Sequence, residues 1–149
     1  MLNEDYKDIL RVLLRNRVRF LVVGAYSMAV HGYPRATGDV DIWIETSKGN
    51  SARVYKSLKE FGAPLCEICE NTFAKKGVVF QIGVAPRRID IITKISGVRF
   101  DEAYPDRKTV KIEGLKVPFL SKKDLIKNKL STGREKDKLD AEELRKTRL

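Results

Sequence analysis

The segment Asp39-Val40-Asp41-Ile42-Trp43-Ile44-Glu45 alternates strictly, and this alternation constrains the chain more than any other feature. Period-two patterning belongs to a strand, where successive side chains point to opposite faces. Val40, Ile42 and Ile44 line one face, which must be buried, while Asp39 and Asp41 share the other. Residues two apart on a strand lie roughly 6.5–7 Å apart at Cα. Two carboxylates held this way repel each other unless cations lie between them, and such a pair suits divalent ions about 3.5–4 Å apart. A solvated strand edge is the other reading of an isolated D-x-D.

A second strand adds to the first. Arg88-Ile89-Asp90-Ile91-Ile92 sets one acid among isoleucines, where an ionised and unpaired carboxylate costs several kcal/mol. A metal pair on a neighbouring strand removes that cost. The alternative is a salt bridge to Arg87 or Arg88, both read as near in sequence but out of phase on the strand. Upstream, Phe20 to Val23 is a short apolar strand closed by Gly24, which opens a short helix over Ala25–Val30. A helix start reached through a small residue presents free N–H groups to an anion; alone, such a glycine marks a tight turn.

The remaining pattern gives a helix within residues 3–17, another over Ser51 to Phe61, and strands at Val78 to Val84 and Arg88 to Lys94. A hairpin follows around Glu113-Gly114, joining Val110 to Ile112 and Leu115 to Phe119. Ser121-x-x-Asp124 starts a helix over 122–131 with Leu125, Ile126 and Leu130 inward, and a last helix covers 135–148. Residues 65–76 carry no clear pattern. This order predicts an α/β (α+β) fold: a mixed sheet flanked by helices, with two C-terminal helices. At 149 residues one domain is expected over 1–149, with a core of about 18–120 and a helical segment of about 121–149.

Composition narrows the function classes. With 42% hydrophobic and 34% charged residues, the chain can build a core and is not expected to be disordered. No apolar run approaches the roughly 20 residues that span a bilayer, and Asn3, Glu4 and Asp5 stand where a leader peptide would carry positive charge. A cytoplasmic protein without membrane contact is expected. The formal charge of +10 fits an anionic partner such as a nucleotide or RNA, and equally a solubility device. Cys66 and Cys69 form a lone C-x-x-C; with His31 the single histidine, a structural zinc site lacks ligands, and both thiols are expected to be buried on a strand or turn.

The tail carries its own signal. Lys129, Arg134 and Lys136 recur within a short stretch. Lys129 falls near the edge of an apolar stripe, from which a long side chain can reach into a cleft. Arg134 stands at a helix start, where the helix dipole disfavours positive charge. Binding an anion would explain all three, with Asp137 orienting Arg134 or Lys129. A solvated face with Lys136 and Asp140 as an i,i+4 pair is the other reading. His31 reads as a residue that ends a helix.

Together these pieces resemble the nucleotidyltransferase superfamily related to DNA polymerase beta. Its pattern is a strand, a Gly-Gly or Gly-Ser turn into a short helix, D-x-D on the next strand and a third acid later; Gly24, Asp39, Asp41 and Asp90 match it. The run from Val23-Gly24-Ala25 through His31-Gly32-Tyr33-Pro34-Arg35-Ala36-Thr37-Gly38-Asp39-Val40-Asp41 is similar to that of small stand-alone members, which include toxin-type enzymes related to abortive-infection proteins. Asn128-Lys129 and Gly133-Arg134-Glu135-Lys136-Asp137-Lys138-Leu139-Asp140 match their tail. One residue departs: the second turn position is Ala25, not Gly or Ser.

The resemblance implies transfer of a nucleoside monophosphate from a nucleoside triphosphate to a hydroxyl, with release of pyrophosphate. It implies Asp39, Asp41 and Asp90 as catalytic and metal-binding acids for two Mg²⁺ ions, with Mn²⁺ as a substitute. The nucleotide would be held by Gly24, Ala25, Ser27, Arg35, Thr37, Lys129, Arg134 and Lys136, with Ser27 standing in for the missing turn serine. The acceptor is open between tRNA or other RNA and a hydroxyl on a small molecule or protein. Alternatives are a toxin with a cognate antitoxin, a member that binds nucleotide without chemistry, and a basic RNA-binding module.

Overall fold

The computed structural model describes residues 2–148. In chain order its elements are α1 (Glu4–Arg15), β1 (Phe20–Val23), α2 (Gly24–Val30), β2 (Asp39–Ile44), α3 (Lys48–Phe61), β3 (Val79–Ile82), β4 (Arg88–Ile92), α4 (Phe100–Ala103), β5 (Lys108–Ile112), β6 (Leu115–Phe119), α5 (Lys122–Ser131) and α6 (Glu135–Lys146). The six strands form one mixed sheet in the order β3-β4-β2-β1-β6-β5. Two junctions are parallel, β2 with β4 and β1 with β6; the other three are antiparallel. The expected α/β architecture with two C-terminal helices is the one observed.

The alternation of β2 sorts the two faces. Val40, Ile42 and Ile44 join Phe20, Val22, Ile89, Ile91, Val117 and Phe119 in a core closed by Tyr6, Ile9, Leu10 and Leu13 of α1 and by Val54 and Leu58 of α3. The opposite face carries Leu21, Val23 and Trp43, covered by Met28 of α2, Leu125 of α5 and Leu144 of α6. Helix α6 is strongly polar, yet it buries Ala141 and Leu144 completely. The acids occupy the part of this second face that the helices leave open.

Local chemistry fixes the helix ends. Asn3 accepts the Tyr6 N–H at 2.9 Å to start α1. Ser47 and Ser121 cap α3 and α5 in the same way, each accepting an N–H from three residues on. Such caps stabilise a helix by about 1 kcal/mol each. Ser47 places the start of α3 one turn earlier than residue 51. Gly62 ends it in the left-handed region at φ 93°.

Several sequence expectations are corrected. Cys66 and Cys69 lie in a turn but are exposed, not buried. The surrounding residues 65–76 form turns and one 3₁₀ segment at Thr72–Ala74. Leu130 of α5 is 40% exposed, because the stripe narrows to Leu125 where α6 packs. The short α4 had no sequence signal at four residues. Arg88 is in phase with Asp90, not out of phase: they are two apart on β4, so both side chains rise from one face.

Two long-range polar contacts brace the framework. The Tyr6 hydroxyl is shared between the Pro86 and Arg88 carbonyls at 3.1 and 3.0 Å, which ties α1 to the start of β4. Burial, reinforced by Tyr26 and Asp39, pushes its pKa up to about 12, so it stays a donor. His31, at the C-cap of α2, is buried with Nε2 2.7 Å from the Leu120 carbonyl. Its Nδ1 has no partner, and burial, only partly offset by that carbonyl, holds its pKa below the usual histidine value. The unfolded chain therefore binds a proton that the folded protein resists. Stability should fall as pH drops through about 6.5, and denaturant titrations between pH 7.5 and 5 should show His31→Gln removing part of that dependence.

Candidate active site

The register of the sheet assembles the acids. Asp41 of β2 is the cross-strand partner of Asp90 of β4, and Asp39 is the partner of Arg88. Parallel pairing puts partners on the same face, so four charged side chains meet on two adjacent strands. One carboxylate oxygen each from Asp39, Asp41 and Asp90 lie within 4.8 Å of one another. Asp90 is 6% exposed; Asp39 and Asp41 are half-buried.

Each acid has a distinct environment. Burial pushes the Asp39 carboxyl up, but the Thr37 hydroxyl, bonds to Asp90 and Asp41, and the Arg88 guanidinium outweigh it and hold the carboxyl below its ordinary value. Thr37 Oγ1 donates to Asp39 Oδ1 at 2.8 Å. Burial, with the charges of Asp39 and Asp90, pushes Asp41 up to about 8. Like charges so close cannot all ionise without a compensating cation. Arg88 supplies one cation: Nε donates to Asp90 Oδ1 at 2.9 Å, and Nη2 lies 3.1 Å from Asp90 Oδ2 and 3.2 Å from Asp39 Oδ2. The donor set consists of hard carboxylate oxygens of the kind that hold divalent cations.

Gly24 makes room for this cluster. Its φ of +70° lies in the left-handed region, and a Cβ at this position would collide with Asp41 Oδ2. A residue with a side chain is excluded twice over, by conformation and by space. The glycine that begins α2 therefore lies directly against a metal-type carboxylate.

Around the acids run two hollows that meet at Gly24, Asp41 and Lys129. A small one of about 190 Å³ is lined by Ala25, Arg35, Thr37, Asp39, Lys136 and Asp140 as well. The larger, of about 450 Å³, extends between Val79 and Ile92 of the sheet and Asn128, Arg134 and Asp137 of the helical segment. Its size falls in the range of small-ligand sites.

The structure brings most of the expected nucleotide residues to this cleft, and not Ser27. Ser27 is fully buried and its hydroxyl donates to the Gly24 carbonyl at 2.8 Å, so it braces the turn and does not face the hollow. Thr37 is at the rim, with its hydroxyl engaged by Asp39. Lys129 points into the cleft, 3.5 Å from Asp137 Oδ1 and 3.4 Å from Asp140 Oδ2. Arg134 precedes α6 as its N-cap, and its Nε donates to Asp137 Oδ2 at 2.8 Å. Burial raises the Asp137 carboxyl, but the Thr132 hydroxyl, Lys129 and Arg134 together bring it below its ordinary value.

Asp140 pairs with Arg35 at 2.7 Å and with Lys129, rather than with Lys136. Lys136 is exposed at the edge of the small hollow and makes no ion pair among the described residues. The sequence pattern missed Arg88 as a site residue because the phase of its strand was misread. Its two-residue spacing from Asp90 was the available signal.

A strand–turn–helix unit, two acids on the next strand and a third on a parallel neighbour define a protein of the nucleotidyltransferase class. The family described as "Nucleotidyltransferase of unknown function (DUF6036)" matches residues 2–146, and the chain belongs to it. The fold is similar to that of TM1012 from Thermotoga maritima, described as "a putative nucleotidyltransferase", at a TM-score of 0.63 and 20% identity over 98% of this chain and 94% of that one. It is also similar to ANT(2")-Ia, solved in complex with adenylyl-2"-tobramycin, at a TM-score of 0.54 and 14% identity over 94% of each chain. No functionally curated protein matches the sequence. Among the described residues no helix is long and apolar enough to cross a membrane.

Proposed function

We propose that this protein transfers a nucleoside monophosphate from a nucleoside triphosphate to a hydroxyl acceptor and releases pyrophosphate. The convergence of Asp39, Asp41 and Asp90 within 4.8 Å beside Gly24 carries this reading. The three acids would hold two Mg²⁺ ions, or Mn²⁺ in their place. Bound there, such ions supply Lewis-acid stabilisation of charge on the phosphate and make the attacking hydroxyl more acidic.

The chain's own groups do the rest. Gly24 and Ala25 offer a surface without side-chain bulk to the triphosphate, and Lys129, Lys136 and Arg35 offer positive charge across the small hollow. The nucleoside would lie in the larger hollow against Val79 and Ile92. The acceptor oxygen forms a bond to the α-phosphorus while the bond from that phosphorus to the bridging oxygen breaks. The hydroxyl proton passes to Asp90, and the β- and γ-phosphates leave together. An RNA acceptor would draw on the +10 charge of the chain and bind in a salt-sensitive way.

The test is incubation with each triphosphate, labelled at the α- or γ-phosphate, with Mg²⁺ and total cell extract. Label from the α position should appear on one size fraction (RNA, protein or small molecule), and label from the γ position should appear only in pyrophosphate. Transfer of the γ label instead, or no transfer from any triphosphate with any fraction, rejects the reading.

Binding and stability should separate between two lysines. Lys136→Ala should weaken triphosphate binding by about threefold to tenfold at low salt, with no change in unfolding midpoint, since it removes an exposed charge. Lys129→Ala should weaken binding and also cost about 2–4 kcal/mol of stability, because Asp137 and Asp140 are both buried and lose a partner. Calorimetric titration and denaturant melts of the two variants check this.

A further inference from the structure

Arg88 carries an inference of its own, which rests on reading the three acids as a metal cage. Its guanidinium engages both oxygens of Asp90 and one of Asp39. The other Asp39 oxygen accepts from Thr37. Every oxygen of those two carboxylates therefore has a donor, whereas Asp41 makes no ion pair among the described residues.

The backbone beneath Arg88 is fixed. Its N–H donates to the Gly38 carbonyl at 3.2 Å, its own carbonyl accepts from Tyr6, and its register opposite Asp39 is set by the parallel pairing. Its side chain is 36% exposed, against 9% for that of Asp90. A side chain this exposed can turn away from the acids toward solvent without disturbing the strand, whereas the buried Asp90 carboxylate cannot follow it.

We propose that Arg88 is a positioning residue that serves the cage as a built-in cation, one that an incoming divalent ion must displace, and so sets the metal affinity of the site. A fork of donors is suited to this role because it holds two carboxylates in fixed orientation with one group. Displacement exchanges charge for charge, so the acids need not pass through an uncompensated arrangement as metal enters.

The experiment is a titration of the full chain with Mn²⁺ alone, read by the electron-paramagnetic signal of the free aquo ion. Arg88→Gln keeps a hydrogen-bonding amide and removes the charge. It should bind Mn²⁺ more tightly than the natural protein by about tenfold, the scale of one charge-assisted bond at a partly exposed site. Equal or weaker binding, or no binding by either protein, overturns the proposal. Weaker binding would mean that Arg88 only orients Asp90. Circular dichroism guards the comparison. If Arg88→Gln does not fold, Arg88→Lys replaces it, since a point charge holds two carboxylates less firmly than a fork. Tightening by about threefold then supports the proposal, and no tightening overturns it.

No nucleotide is present in this titration, so its outcome is separate from that of the transfer assay. Tightened Mn²⁺ binding in a protein that transfers nothing leaves the role of Arg88 standing and removes the proposed activity. Unchanged binding in an active enzyme does the reverse.

Discussion

Asp41→Asn is expected to abolish nucleotidyl transfer while stabilising the metal-free protein above neutral pH. Loss of an acid from the proposed metal site removes both charge stabilisation and nucleophile activation, so a fall of about 10³-fold or more is expected. The stability effect has the opposite sign because of the environment of Asp41. Burial and the charges of Asp39 and Asp90 push its pKa up to about 8, against an ordinary aspartate value in the unfolded chain. Between those values the folded protein holds a proton that the unfolded chain has released. Folding stability is therefore present at low pH and lost as pH rises toward 8.

Asparagine keeps the shape and a donor, and removes this titration. The variant should melt a few degrees higher than the natural protein at pH 8 and show little difference at pH 5. Thermal melts in chelator at both pH values, with the transfer assay, decide it. A variant that melts lower at both would show that Asp41 is held ionised by its neighbours.

Gly24→Ala should disable both the fold around the cleft and the metal site. A non-glycine residue at φ +70° is strained by about 1–3 kcal/mol, and displacing a half-buried carboxylate adds to that. A total loss of about 2–4 kcal/mol is expected. Because the three atoms nearest the new methyl group all belong to the Asp41 side chain, relief of the clash must move the acid. Mn²⁺ affinity should drop with stability. Gly62→Ala, at another left-handed glycine with open space around it, should lose stability alone. Parallel melts and Mn²⁺ titrations of the two variants separate strain from displacement.

What the sequence revealed here followed local periodicity. The alternation in Asp39 to Ile44 gave the strand, its buried side and the shared direction of its two acids, and the lone acid among isoleucines at Asp90 pointed to a neighbour that could use it. The capping serine at 121 marked an end that the fold keeps. What depended on three dimensions was harder. Cys66 and Cys69 are exposed because Leu65 and Ile68 are the residues of this turn that pack against the core, and no local pattern reports that. The resemblance implies Ser27 as a substitute for the missing turn serine, yet its hydroxyl turns back to the Gly24 carbonyl. Arg88 needed only a correct count along its strand. Its bond to Asp39, 49 residues away, needed the parallel register, which a sequence does not print.

The Asp140 carboxylate has a consequence for how this chain can be handled. It joins Arg35, on the loop before β2, to Lys129 on α5, from a position on α6. Helix α6 also lays Leu144 over the sheet face that holds Leu21, Val23 and Trp43. A chain cut after Gly133 would strip the apolar cover and leave two cations without their anion. Such a fragment should self-associate through the bared sheet face rather than persist as a smaller enzyme. Trimming from the carboxyl end would then yield aggregates where a minimal catalytic core was sought.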